Sequence, residues 1–187
     1  MASRADYVPG PASGARVEKD GEQWTLVLVR ELRHPPARVW EALTHPEHLR
    51  EWAPFDADGE LDAVGSRVQL TWTGTGRETE ATVTRAEAPR VLEFGDLRWE
   101  LEPLGQGTGE SGTRLTLWHS IDRRFIAWGA AGWHICFDVL DRMLAGAPMG
   151  RIAGRDAMQF GWQRLVGEYS QAFGIAAAGE SKTGQEP

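Results

Sequence analysis

The chain has 187 residues, enough for one domain with a sizeable core, and 41% of them are hydrophobic and 25% charged, as in an ordinary globular protein. Its formal charge of −7, with basic residues scattered singly or in pairs such as Arg123-Arg124, excludes a phosphate-binding surface, so no nucleic-acid partner is expected. No apolar run approaches the ~20 residues of a membrane helix, residues 1–14 lack a secretory apolar segment, and the single Cys136 cannot form an internal disulfide. A cytoplasmic protein is expected, without membrane insertion and without a cofactor.

Residues 1–20, rich in Gly, Ala, Ser and Pro, predict a flexible N-terminal arm, and the polar stretch 176–187 predicts a disordered tail. Between them, residues 21–175 form the domain. Gln23 to Leu32 reads as a strand with apolar residues on both faces. Pro35 and Pro36 end it. A short helix follows from Pro36 to Leu43, with Val39, Trp40 and Leu43 on one face. Thr44 and Glu47 then have the spacing of a capping box, with Pro46 in the first turn, and predict a second short helix ending near Trp52.

From Asp58 to Ile121 the pattern is that of strands. Arg67–Trp72 places Val68, Leu70 and Trp72 on one face, and Gly74-Thr75-Gly76 turns the chain into Thr79–Arg85. Pro89 interrupts, Val91–Phe94 resumes, and Gly95-Asp96 turns into a strand with Leu97, Trp99 and Leu101 facing inward. The glycine-rich loop 105–112 leads to Thr113–Ile121, where Leu115, Leu117 and His119 share a face. After Asp122 the period becomes helical. Phe125–Leu144 carries Trp133, Phe137, Leu140 and Leu144 at spacings of 4, 3 and 4. A last helix is expected from about Gly154 to Phe173, with Met158, Trp162, Leu165, Tyr169 and Phe173 on its stripe. One antiparallel sheet wrapped over a long helix, an α+β fold, accounts for this order.

The stretch Val29–Trp52, VRELRHPPARVWEALTHPEHLREW, resembles the opening of the SRPBCC (START-like) superfamily. More narrowly it is similar to the family named after the activator of the heat-shock protein 90 ATPase. Arg30, Pro35, Val39, Trp40, Thr44, Pro46, Glu47, Leu49 and Trp52 carry the pattern. Gly112–Leu117 resembles that family's last strand, and Gly132-Trp133 followed by Asp138 to Leu144 resembles its helix. The resemblance spans about Gln23 to Gly174 and implies a helix-grip fold: a curved antiparallel sheet around a long C-terminal helix, with two short helices after the first strand. It also implies a hydrophobic ligand, such as a lipid, an aromatic compound or a polyketide, and through the family name a link to heat-shock ATPases and stress response.

A sheet curled around a helix can leave a cavity between them. The expected ligand-binding residues are Trp52, Leu70, Trp72, Phe94, Trp99, Leu117, His119, Trp133, His134, Phe137 and Leu140. His134 and Asp138 lie at i and i+4 and share a helix face. They fit three roles: a structural pair, a polar contact to the ligand, or acid–base work. Cys136 points away from that face, so these residues make no metal site. Arg30 is either a buried ion-pair partner or an exposed edge residue. Gly105–Gly109 joins strands and opens no helix, so it is no dinucleotide fingerprint, and no nucleophile elbow or Walker lysine occurs. No catalytic residues are assigned. The leading expectation is a monomer or weak homodimer that binds a small hydrophobic molecule in an internal cavity. The alternatives are a cyclase or dehydratase on the same scaffold, and a co-chaperone-like interaction module.

Overall fold

The computed structural model describes residues 4–105 and 112–176. Eight strands form one fully antiparallel sheet: β1 (Ala15–Asp20), β2 (Gln23–Leu32), β3 (Phe55–Ala57), β4 (Arg67–Trp72), β5 (Arg77–Glu87), β6 (Val91–Phe94), β7 (Leu97–Leu104) and β8 (Gly112–Ser120). Their spatial order is β1-β2-β8-β7-β6-β5-β4-β3. Helices α1 (Pro36–Thr44) and α2 (Pro46–Trp52) follow β2, and α3 (Ile126–Leu144) and α4 (Trp162–Phe173) close the chain. This is the sheet wrapped over a long helix that the residue pattern predicts, in the helix-grip form that the resemblance implies.

The sheet's inner face is written in its register. Leu28, Leu117, Trp99 and Leu92 form one row across β2, β8, β7 and β6, and Leu26, His119, Leu97 and Phe94 form the next. Strand β5 bends the sheet. Its first half pairs with β4 and its second with β6, with a register irregularity between Val83 and Arg85 where the hand-over occurs. Such an irregularity increases local twist. The result is a sheet so curled that Trp72, on β4, stacks on His119, on β8, with ring centroids 6.5 Å apart and planes 9° apart, although three strands lie between them.

Helix α3 lies in the concavity. Trp133 and Phe137 meet Trp52 from the end of α2 and Trp99 from β7, all four buried. Their rings form a mutual cluster, with Trp52–Trp99 and Trp99–Trp133 edge-to-face at 6.0 and 5.4 Å. Edge-to-face packing sets the positive rim of one ring against the negative face of the next. The Trp52 indole donates to the Ala42 carbonyl at 2.9 Å, whereas the buried Trp99 indole finds no acceptor among the described residues.

Three local expectations are corrected. Residues from Arg4 onward do not form a loose arm: 15–20 are the edge strand β1, and Tyr7 is buried against α3. Thr44 does not cap α2. Its hydroxyl donates back to the Trp40 carbonyl within α1, and His45 is the cap residue, with Pro46 opening the helix. The last helix begins only at Trp162, because Gly161 is left-handed with φ 79° and separates α4 from a 3-10 turn at Asp156–Phe160. Met158 therefore leaves the apolar stripe and is 53% exposed. The glycine-rich loop and the tail 176–187 fall, apart from Gly105, Gly112 and Ala176, outside the described residues.

The two core indoles make a stability contrast. Trp52→Phe opens a void and strands the Ala42 carbonyl, and is expected to cost about 2–3 kcal/mol. Trp99→Phe opens a similar void but removes an unpaired donor, so its cost should be about 1 kcal/mol smaller. Urea unfolding of both variants measures the difference; equal costs, or a dearer Trp99→Phe, would contradict the packing described.

Candidate functional site

The eleven residues expected to line a cavity divide into three groups. Trp52, Trp99, Leu117, Trp133, Phe137 and Leu140 are buried in the core, where the aromatic members pack on one another. None of these six lines the pocket at the end of the sheet. Leu70, Trp72, Phe94 and His119 do line it, and enclose about 650 Å³ together with Leu97, Ala81 and Phe125. His134 stands on another face of α3 and is no part of it.

The pocket lies at the open end of the curl. Its inner wall is apolar, from Leu70, Ala81, Phe94 and Leu97, and Trp72 and His119 flank it with parallel rings. Polar groups sit at its rim: Thr73, Thr75 and Arg77 from the β4–β5 turn, Asp96 from the β6–β7 turn, and Asp122 after β8. Gly74 and Gly154 complete one wall by direct backbone contact. A Cβ on Gly154, whose φ is 58°, would lie 2.7 Å from the Gly74 Cα. Only glycines let these two loops meet.

His119 is fixed from two sides. The Trp133 indole donates to its Nδ1 at 3.1 Å, and Trp72 holds the ring plane while spending its own indole N–H on the Thr79 hydroxyl at 3.2 Å. Burial pushes the His119 pKa down to about 4, against a smaller opposing pull from the Asp96 carboxylate. The imidazole is therefore neutral at physiological pH. Its Nδ1 lone pair is occupied by the Trp133 hydrogen, so Nδ1 does not serve as a base toward the pocket.

Behind α3 lies a second polar cluster. Asp138 accepts from Arg30 Nη1 at 2.6 Å and from the Tyr7 hydroxyl at 2.7 Å. Its carboxylate stands 3.7 Å from His134 Nε2, beyond hydrogen-bond reach. His134 Nδ1 lies 2.8 Å from the Tyr169 hydroxyl, which also donates to the Ser13 carbonyl at 3.0 Å. Burial lowers the His134 pKa, and burial, then Asp138, raises that of Tyr7. The open question about Arg30 resolves as a half-buried ion pair between β2 and α3. The group ties the N-terminal segment to α3 and α4; Cys136 nearby is buried, with its thiol pushed up to about 12 by desolvation. No cluster of His, Cys, Asp and Glu suited to a metal ion occurs among the described residues.

Sequence reasoning placed Leu97 on the inner face without assigning it to a site, and gave Asp96 and Phe125 no part in one. Asp96 read only as a turn residue and Phe125 only as a helix start. Phe125 also begins a surface aromatic ladder with Trp128 and Trp162, at centroid distances of 5.6 and 5.5 Å.

Residues 33–145 match the family model described as activator of Hsp90 ATPase homolog 1-like protein. No curated protein matches the chain. Among solved structures, the chain is similar to EF2215 of Enterococcus faecalis, a conserved protein of unknown function, at 16% identity over 84% of this chain and 91% of that one, with a TM-score of 0.59. It is similar to CalU16 of Micromonospora echinospora at 22% identity over 84% and 93%, with a TM-score of 0.57. It is also similar to NE0264 of Nitrosomonas europaea at 21% identity over 69% and 98%, with a TM-score of 0.53. At such identities the likeness bears on the fold.

The half-buried imidazole of His119 has a pH consequence with a definite sign. The folded-state pKa of His119 lies below its ordinary 6.5, so between that value and about 4 the unfolded chain takes up a proton that the native chain refuses. Stability falls as pH drops through this window, with His134 adding to the loss in the same direction. In His119→Gln, the fall between pH 6.5 and 4 should be smaller by on the order of 2 kcal/mol, read as the shift in urea midpoint. An unchanged fall would show that His119 is not held neutral.

Proposed function

The chain belongs to the activator of Hsp90 ATPase homolog 1-like family, within the SRPBCC superfamily, and from that premise we propose that it holds a small, flat, largely apolar molecule at the Trp72–His119 end of the sheet. The observation that carries this reading is the pocket itself. Its volume of about 650 Å³ lies within the ~300–1,000 Å³ of small-molecule sites, and such sites combine apolar walls with a few convergent polar groups. Here Leu70, Phe94 and Leu97 supply apolar burial, Trp72 supplies a stacking face, and His119 supplies the inner polar contact. His134, grouped with this ligand from the sequence, acts as part of the N-terminal clamp.

Size also bears on the choice of ligand. The aromatic cluster of Trp52, Trp99, Trp133 and Phe137 occupies the depth of the grip, so the molecule sits at the mouth of the curl. A compact ring system of two or three rings suits this space better than a long acyl chain. The protein then acts as a carrier or sensor, with no bond made or broken.

Native mass spectrometry of gently purified protein, followed by fluorescence titration with small aromatic compounds, tests the reading. Trp72→Ala should weaken binding at least tenfold, whereas Trp99→Phe should leave it within about twofold, since only Trp72 touches the ligand. A larger effect from Trp99→Phe would move the ligand into the core. Turnover of the bound compound would favour the cyclase or dehydratase, and no binding across the panel would favour the interaction module.

A further inference from the structure

Resting on that reading of the pocket, we propose that its ligand is recognised through a neutral hydrogen-bond acceptor, an aromatic ketone or equivalent carbonyl, which takes a hydrogen from His119 Nε2. The Trp133 indole nitrogen is a donor only. Its contact with His119 Nδ1 at 3.1 Å therefore requires Nδ1 to carry a lone pair. In a neutral imidazole the hydrogen must then sit on Nε2. A residue fourteen positions away on α3 thus sets what the β8 side chain offers to the pocket.

That hydrogen is unspent. His119 Nε2 has no hydrogen-bond partner among the described residues. Among those residues the polar side-chain atoms both sealed from solvent and unpaired are Trp99 Nε1 and Ser170 Oγ, so Nε2 is not fully sealed. His119 lines the pocket, and the pocket is its opening. A partly desolvated donor strongly favours a ligand that satisfies it over one that leaves it bare.

The surroundings narrow the acceptor to a neutral one. The inner wall of Leu70, Ala81, Phe94 and Leu97 is apolar, Arg77 and Asp96 stand at the rim with opposite charges, and Asp122 is already bound by Arg124 at 2.9 Å. A carboxylate placed against the neutral imidazole would be desolvated there without a counter-charge, so a carboxylate head group is a poor match. Trp72, parallel to the His119 ring, offers its face to a planar system. A carbonyl in the plane of an aromatic ring can reach Nε2 while the ring stacks on the indole.

The test uses the intact protein and three probes of similar skeleton: 1-tetralone, tetralin, which lacks the carbonyl, and 1-naphthoate, which carries a negative charge. Long-range 15N–1H spectra of the free protein should show His119 protonated at Nε2 and bare at Nδ1. In NMR titrations 1-tetralone should bind about tenfold more tightly than tetralin, despite being less apolar, and more tightly than 1-naphthoate. In His119→Phe the preference for the ketone should vanish. The tautomer and the wild-type comparison stand without that variant, should it fold poorly. A hydrogen on Nδ1, equal or tighter binding of tetralin, or tighter binding of the carboxylate overturns the proposal. If none of the probes perturbs the resonances of Trp72 and His119 at millimolar concentration, the pocket reading itself fails, and the acceptor assignment fails with it.

Discussion

The hydrogen bond from the Trp133 indole to His119 Nδ1 joins the gripped helix to the curled sheet, and the rest of the architecture is arranged around that junction. On one side of it lies a packed interior of Trp52, Trp99 and Phe137; on the other lies open space. A histidine is an uncommon choice for an inner row that otherwise reads Leu26, Leu97 and Phe94. Its desolvation is tolerable because one nitrogen is satisfied by the helix and the other reaches the pocket. The same contact that anchors α3 sets the chemical character of the site.

The junction depends in turn on the curl. Trp72 reaches His119 because β5 changes partners at its irregularity and swings β4 around. The glycine pair at 74 and 154 then lets the β4–β5 turn meet the loop before α4, which closes one wall without filling the pocket. On the far side of α3, Arg30, Tyr7 and Asp138 hold the helix from behind. Breaking one partner of such a half-buried group leaves a charge or a donor uncompensated. The helix is therefore fixed on two faces, and Trp133 has little freedom to release the imidazole.

Much of this was legible from residue order. Strand β2, the two short helices, and the inward alternation of Leu97, Trp99 and Leu101 all follow from period and punctuation, because burial on one face leaves a regular trace. Strand β1 left none. It is an edge strand, ARVEKD, largely exposed, and charged edges carry no hydrophobic period. Tyr7 was legible only as a lone aromatic in a stretch rich in Gly, Ala and Pro, since its partner Asp138 is 131 residues away. The site was half legible. Leu70, Trp72, Phe94 and His119 were read from their faces, but face alone does not say which inward residues touch each other. Trp52, Trp99 and Trp133 face the same interior and fill it, while Trp72, four strands from β8 in sheet order, borders the space that remains. That distinction arises from curvature, which a strand's sequence does not state.

The central claim is that ligand space begins where the aromatic cluster ends, at Trp72 and His119. The nine indole N–H resonances, followed while an aromatic ketone is added, test it most directly. Shifts concentrated on Trp72 and on Trp133, with Trp52 and Trp99 unmoved, are the result this account predicts. Shifts led by Trp52 and Trp99 would place the ligand inside the grip and contradict it.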